Sequence, residues 1–188
     1  MKSFNRNDLS FSLCGLNCAL CAMRTDGYCP GCGGGDGNQG CSIARCSIAH
    51  GSFEYCSECE NYPCPKYNGI TQFDSFITHR HQLSDMEKMN RLGIDAYRVE
   101  LEQKSQILKY LLDNYNDGRR KTFFCLAVNL LDLSDSENAV RQIKERIARE
   151  MTVKEKSSVA VSCFEAAAKE KGIALRMNKK TAKTKQTN

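Results

Sequence analysis

Ten of the chain's twelve cysteines lie between Cys14 and Cys64. They fall as Cys14-x3-Cys18-x2-Cys21, Cys29-x2-Cys32, Cys41-x4-Cys46 and Cys56-x2-Cys59-x4-Cys64. Zinc binds thiolates tetrahedrally, and two cysteines separated by two residues fit one edge of that tetrahedron. The spacing occurs at Cys18/Cys21, Cys29/Cys32 and Cys56/Cys59. The simplest assignment is two ions, one held by Cys18, Cys21, Cys29 and Cys32, the other by Cys46, Cys56, Cys59 and Cys64. Cys14 and Cys41 are left to replace a ligand, bridge the sites or stay free, and spacing alone leaves interleaved pairing open. Saturated four-thiolate sites have no open position, so zinc held this way is structural.

The rival chemistry is an iron–sulfur cluster. Cys14-x3-Cys18-x2-Cys21 has the spacing of the radical S-adenosylmethionine motif. That family has a larger barrel of repeated βα units, for which this chain has no strand–helix alternation. Leu20 also stands where that family usually has an aromatic residue. Cys64-Pro65 is similar to the end of a ferredoxin run, but the compact spacing before it is missing. A thiol-redox sensor using Cys14 or Cys41 is a further alternative.

No catalytic set is visible. His50 lies among the cysteines and is a possible substitute ligand. His79 and His81 flank Arg80, and on a helix they would point to different faces, so they form no i, i+4 metal pair. Cys125 and Cys163 sit in apolar surroundings and read as small core residues. The glycine run Gly31–Gly40 lacks the Gly-Lys-Ser/Thr ending of a phosphate loop and reads as a spacer between ligands. Arg119, Arg120 and Lys121 follow Gly118 at an expected helix start, where cations oppose the helix dipole. They are either a solvated basic face or a site for an acidic or phosphate-bearing ligand.

The elements that must position these residues follow from composition. At 188 residues the chain is one medium domain or two small ones. All three prolines, Pro30, Pro63 and Pro65, lie in the cysteine region, which its glycines also break up. That segment buries too little apolar surface to fold alone, so ligation must supply folding free energy. The N-terminus has no signal-like apolar core and nothing later is of membrane-spanning length, so a cytoplasmic protein outside the membrane is expected. Reduced thiols in that compartment disfavour a disulfide framework. The net charge of +5 is a tail effect. Residues 176–188 hold five of the 27 basic residues and no acid, and the remainder balances 22 against 22. Residues 1–69 carry five basic and six acidic residues, which argues against a nucleic-acid interface there.

Beyond Asn68-Gly69 helix formers dominate. Residues 1–13 suggest a short strand or extended entry. Phe73, Phe76 and Ile77 form a short apolar stripe. Ser84-x-x-Glu87, Ser134-x-x-Glu137 and Thr152-x-x-Glu155 are predicted capping boxes, and Asp95 a further cap. Tyr97, Leu101, Leu108, Leu111, Leu112 and Tyr115 make one helical stripe. From Phe123 to Leu131 only Asn129 is polar, which predicts a buried central helix. Val140, Ile143, Ile147 and Met151 share a face, with Glu145 and Arg149 paired on the other.

The cysteine pattern also resembles a known family. Cys14-Gly15-Leu16-x-Cys18-x-x-Cys21, Cys29-Pro30-Gly31-Cys32, Cys41-x-Ile43-x-x-Cys46 and Cys56-x-x-Cys59-x-x-Tyr62-Pro63-Cys64 match small cysteine-rich prokaryotic proteins, domain of unknown function three-seven-nine-five in words. The match covers about 14–66, and Asn116–Cys125 is similar to the helical half of that family. The resemblance implies zinc binding and lends no activity or substrate. The expected architecture is mainly α. A cysteine-rich metal-binding module, 1–69, packs on a bundle of four or five helices, 70–175, followed by a basic disordered tail, 176–188. The expected function is a zinc-binding adaptor module for a protein partner.

Overall fold

The computed structural model describes residues 4–35 and 40–180. Residues 36–39 of the glycine run and 181–188 of the expected basic tail lie outside the described residues. The chain is mainly helical. Seven α-helices are present among the described residues: α1 (Ala22–Thr25), α2 (Ser42–Ala49), α3 (Gln82–Leu92), α4 (Ile94–Tyr115), α5 (Lys121–Leu130), α6 (Leu133–Arg146) and α7 (Val153–Glu170). The extended entry makes one isolated bridge, Asn5 to Gly34, and no strand forms among the described residues.

The longest helix, α4, packs against α3, α5, α6 and α7, and α6 lies along α7. Its buried face is Tyr97, Leu101, Leu108, Leu111 and Tyr115, as the periodicity predicts, with Leu112 half-buried. A lysine completes this face: Lys104 is buried between Leu101 and Leu108. The apolar run does form a buried helix, with Phe124 through Leu130 all inside. Phe124, Phe164, Leu108, Leu111 and Ile143 are essentially inaccessible. Full burial of each such side chain contributes roughly 1.5–3 kcal/mol.

The same core reaches into the cysteine region. Phe11, Leu20 and Tyr55 belong to one continuous apolar cluster with the helices. The Phe11 ring lies 4.8 Å from Tyr97 and 5.9 Å from Tyr55. A second, smaller cluster of Phe4, Leu13, Ile43 and Ala44 is built from the cysteine region alone. The N-terminal segment thus borrows part of its interior from the helices.

Several helix ends differ from the sequence reading. Thr152 and Glu155 do form a reciprocal capping box. Ser84 does not cap: α3 starts earlier, at Gln82, and the Ser84 hydroxyl donates back to the His81 carbonyl. Asp132, not Ser134, precedes α6, because the turn after α5 is tighter than the motif assumes. Gly93, with φ of 84°, separates α3 from α4, leaving Asp95 inside the first turn. α6 ends at Arg146, so Met151 lies off its face and Glu145–Arg149 is no helical pair. Phe73 and Phe76 are exposed in a loop, and only Ile77 of that stripe is buried. His79 and His81 also precede α3, with His81 at its N-cap.

The expected free tail is tied down at its start. Arg80 donates to the carbonyls of Ala174 and Arg176 at 2.7 and 3.1 Å. The Asp74 and Asn178 backbones are also joined, through the Asp74 N–H to the Asn178 carbonyl and the Asn178 N–H to the Asp74 carboxylate, each at 2.7 Å.

Candidate metal centre

Cys46, Cys56, Cys59 and Cys64 line one cavity of about 70 Å³. That is room for an ion and far below the several hundred Å³ of a drug-sized ligand site. Three short elements bring these four residues together. Cys46 lies within α2. Cys56 and Cys59 stand at the start and just past the end of a single 3-10 turn, closed by the Cys59 N–H on the Cys56 carbonyl at 3.1 Å. Cys64 precedes a second such turn, Pro65–Tyr67. The remaining walls include Ile43, Phe53, Tyr62 and Tyr67, with the two tyrosine rings edge to face at 5.0 Å. His50 also lines the cavity, but its Nδ1 is committed 2.8 Å from the Cys46 carbonyl.

The chemistry of this donor set fits a thiophilic cation. The four cysteines face largely apolar and aromatic walls; Ser47, Asn61 and Lys66 also line the cavity, and no carboxylate does. The buried Tyr67 hydroxyl lies beside Cys56 without a hydrogen bond of good geometry, a donor ready for a thiolate. Among the described residues, no group of three or more His, Cys, Asp or Glu side chains is arranged so that it could hold a metal ion. No disulfide joins any of the twelve cysteines.

The other six cysteines of the region are positioned by several short elements. Cys14 and Cys32 pack on the small Phe4/Leu13/Ile43/Ala44 cluster, as does Cys56 from the cavity. Cys41 stands at the N-cap position of α2, without a side-chain capping bond; that helix supplies Ile43 and Ala44. Cys21 is buried at the start of α1, which packs against α5. There it lies within electrostatic reach of Cys29 and of Cys125 on α5. Cys18 opens the single 3-10 turn Cys18–Leu20, which is closed by the Cys21 N–H on the Cys18 carbonyl at 3.1 Å and packs against α1, α4 and α5.

Burial pushes these thiols up. It takes Cys14 and Cys125 to about 12 and Cys56 to about 11, and it raises Cys18, Cys21 and Cys32 as well. Such thiols hold their protons at neutral pH, whereas reactive cysteines need a depressed pKa and access. A bound cation reverses this, because it takes the thiolate and releases the proton.

A buried guanidinium holds the frame around the cysteines. Arg6 donates to the carbonyls of Phe11, Cys32 and Glu54 and pairs with the Glu54 carboxylate at 3.5 Å. Gly33, with φ of 89°, lies so close to Arg6 that a Cβ there would stand 2.8 Å from its side chain. Gly15, with φ of 96°, lets the backbone between Cys14 and Cys18 approach the Gln82 carbonyl, which a Cβ would meet at 2.4 Å. Asp8 accepts from the Tyr55 hydroxyl at 2.7 Å and from Arg98 of α4 at 3.2 Å.

Behind the cysteines lies a polar seam that the sequence reading missed. Asn17 donates to Asp85 of α3 at 2.8 Å and accepts from the Tyr97 hydroxyl at 2.8 Å. Its amide also reaches Asn129 at 3.5 Å, while Lys104 donates to the Asn129 carbonyl at 3.4 Å. Burial raises the Asp85 carboxyl to about 6, against the lowering pull of Lys104 and Lys88. Burial likewise lowers Lys104. Two signals pointed here: a lysine inside an apolar stripe, and a lone asparagine in an otherwise apolar run.

The basic run before α5 is largely satisfied by the chain itself. The Gly118 and Arg120 N–H groups donate to the Asn116 side chain, and the Arg119 N–H donates to Asp117. Lys121 pairs with Asp26, and Arg120 stands 3.9 Å from Asp117. Three backbone N–H groups of the run thus have acceptors within the chain, while the buried Arg120 Nε has no hydrogen-bond partner.

Among the described residues, no helix is long and apolar enough to cross a membrane. No protein-family model, no curated protein and no solved structure matches the chain.

Proposed function

We propose that the chain is a cytosolic zinc-binding protein whose ions are structural, and that its folded surface serves a protein partner as a binding or adaptor module. Membership of the resembled cysteine-rich family, and a metal-held segment seated on a helical bundle, are parts of the same reading. The observation that carries it is the convergence of Cys46, Cys56, Cys59 and Cys64 on one small apolar cavity. These residues would hold one ion, and four thiolates leave it no open coordination position. Bound zinc would supply charge neutralisation and folding free energy at that cavity.

The test is the metal content and visible spectrum of protein purified without a metal-chelating tag. Zinc at about two equivalents, one for each four-cysteine set, in a colourless protein is the expected result. A brown protein absorbing in the visible would replace zinc with an iron–sulfur cluster. A folded protein without metal would overturn both.

A further inference from the structure

We propose that the loop carrying Phe73 and Phe76, together with the chain from Arg176 onward, is a binding surface for single-stranded nucleic acid. This goes beyond the zinc reading and is tested apart from it. By composition the C-terminal basicity is a loose end, but its beginning is seated on the fold. From Ile173 to Asn178 exposure alternates: Ile173, Leu175 and Met177 are half-buried, while Ala174, Arg176 and Asn178 are exposed. A ribbon resting on one side shows this period of two. Ile173 and Leu175 pack on the main core, and Met177 shares a small cleft with Phe76, Ile77 and Cys125. Arg80 and Asp74 hold the ribbon's backbone from the loop side.

Two features converge there. The first is charge of one sign. After Glu170 the only charged residues are Lys171, Arg176, Lys179, Lys180, Lys183 and Lys185. Lys171 pairs with Asp135, and Arg176, Lys179 and Lys180 stand exposed. The carboxylate of the loop, Asp74, is taken up within the chain. It accepts from the Thr78 hydroxyl at 3.1 Å, the His79 N–H at 2.8 Å and the Asn178 N–H at 2.7 Å.

The second is aromatic surface. Phe76 is 62% exposed and Phe73 41%. Of the chain's eight phenylalanines these two alone are exposed, and both lie on the loop to which the ribbon is tied. The Lys180 ammonium lies 5.5 Å from the centre of the Phe73 ring. Cations that follow a phosphate backbone and rings on which bases stack are the two parts of a single-strand site. A duplex keeps its bases stacked on one another and offers the rings nothing. An anionic bilayer would have to bury the Phe73 ring with the ammonium that lies over it, which is costly in hydrocarbon. A base stacked beside its phosphate leaves ring and cation in place.

Fluorescence anisotropy of a labelled oligothymidylate of about ten nucleotides, within the usual span of such sites, tests this on the full-length protein. Binding should weaken with added salt. The slope of log K against log salt should approach about −3.5 if the five cations from Arg176 to Lys185 each neutralise one phosphate. Phe76→Ala should weaken binding about tenfold or more, the worth of one stacked base. Lys179→Gln with Lys180→Gln should weaken it and make the slope shallower by about 1.4. Lys154→Gln, which removes an exposed cation at the start of α7, should leave affinity unchanged. Every altered side chain is exposed, so helicity and melting temperature should hold in all of these variants. No binding at low salt, wild-type affinity in Phe76→Ala, or an equal loss in Lys154→Gln overturns the proposal. So does a preference, in direct competition, for a duplex, for polyglutamate or for vesicles of phosphatidylcholine and phosphatidylserine in equal parts. The last two would assign the surface to a basic-patch protein contact or to a membrane.

Discussion

The two halves of the chain hold their shape by different means. From α3 to α7 the interior is apolar and continuous, and its largest side chains, Phe124, Phe164, Leu108 and Leu111, are closed off completely. Between Phe4 and Tyr67 the apolar interior of the segment's own making is small. Buried polar struts stand beside it: Arg6 on three carbonyls and Asp8 on Tyr55 and Arg98. A helix satisfies its own backbone groups, whereas irregular segments must find partners one by one. In the zinc reading, the cysteines add a place where an ion would substitute for core. The difference teaches that the cysteine segment is dependent twice over, on an ion in the zinc reading and on the helices that cover Phe11 and Leu20.

That contrast can be broken or sharpened by experiment. The largest expected effect is chelation. Each structural zinc is worth on the order of 10 kcal/mol or more of apparent binding free energy, so stripping metal should collapse the cysteine segment and lower the melting temperature of the whole chain. Helicity that melts unchanged after chelation would show that the halves are independent. Next comes Phe124→Ala, at roughly 3–5 kcal/mol. Because Phe124 shares a cluster with Leu20 and Phe11, chemical denaturation should show one transition in which thiol exposure and helix loss coincide. Two separated transitions would divide the core that the structure joins.

Arg6→Met should cost less. Removing the guanidinium leaves buried carbonyls without a donor, at about 1–3 kcal/mol. The loss should appear in hydrogen exchange around Phe11 and Cys32 before it appears in α6 or α7. The smallest effect belongs to the seam. Asp85 is raised to about 6 in the folded chain from an ordinary 3.8. The folded state therefore binds the proton more tightly, and the group's contribution to stability falls as pH rises through that window. Asp85→Asn should flatten the pH dependence of the denaturation midpoint between about 4 and 6. An unchanged slope would remove Asp85 as its source.

The helices were the more legible half. The stripe of α4, the buried α5 and the Thr152 capping box all follow from periods and local motifs, since a helix is decided by neighbours three and four positions away. Their ends were less so. The Ser84 and Ser134 motifs are intact in sequence, yet α3 starts at Gln82 and α6 at Leu133. In the cysteine region, spacing identified the Cys46, Cys56, Cys59 and Cys64 set that shares a cavity. Arg6, Asp8, Asn17 and Lys104 were missed because their meaning depends on carbonyls and side chains far along the chain.

The burial of Leu20 in a core shared with Phe124 has a consequence for how the protein is made. Synthesis proceeds at about 5–20 residues per second. The cysteine segment therefore emerges several seconds or more before the helix that covers it exists. During that interval its thiols face the surrounding solution without their final packing, and Asn17 has neither Tyr97 nor Asn129 to meet. The segment's final shape is therefore conferred late, by sequence not yet translated.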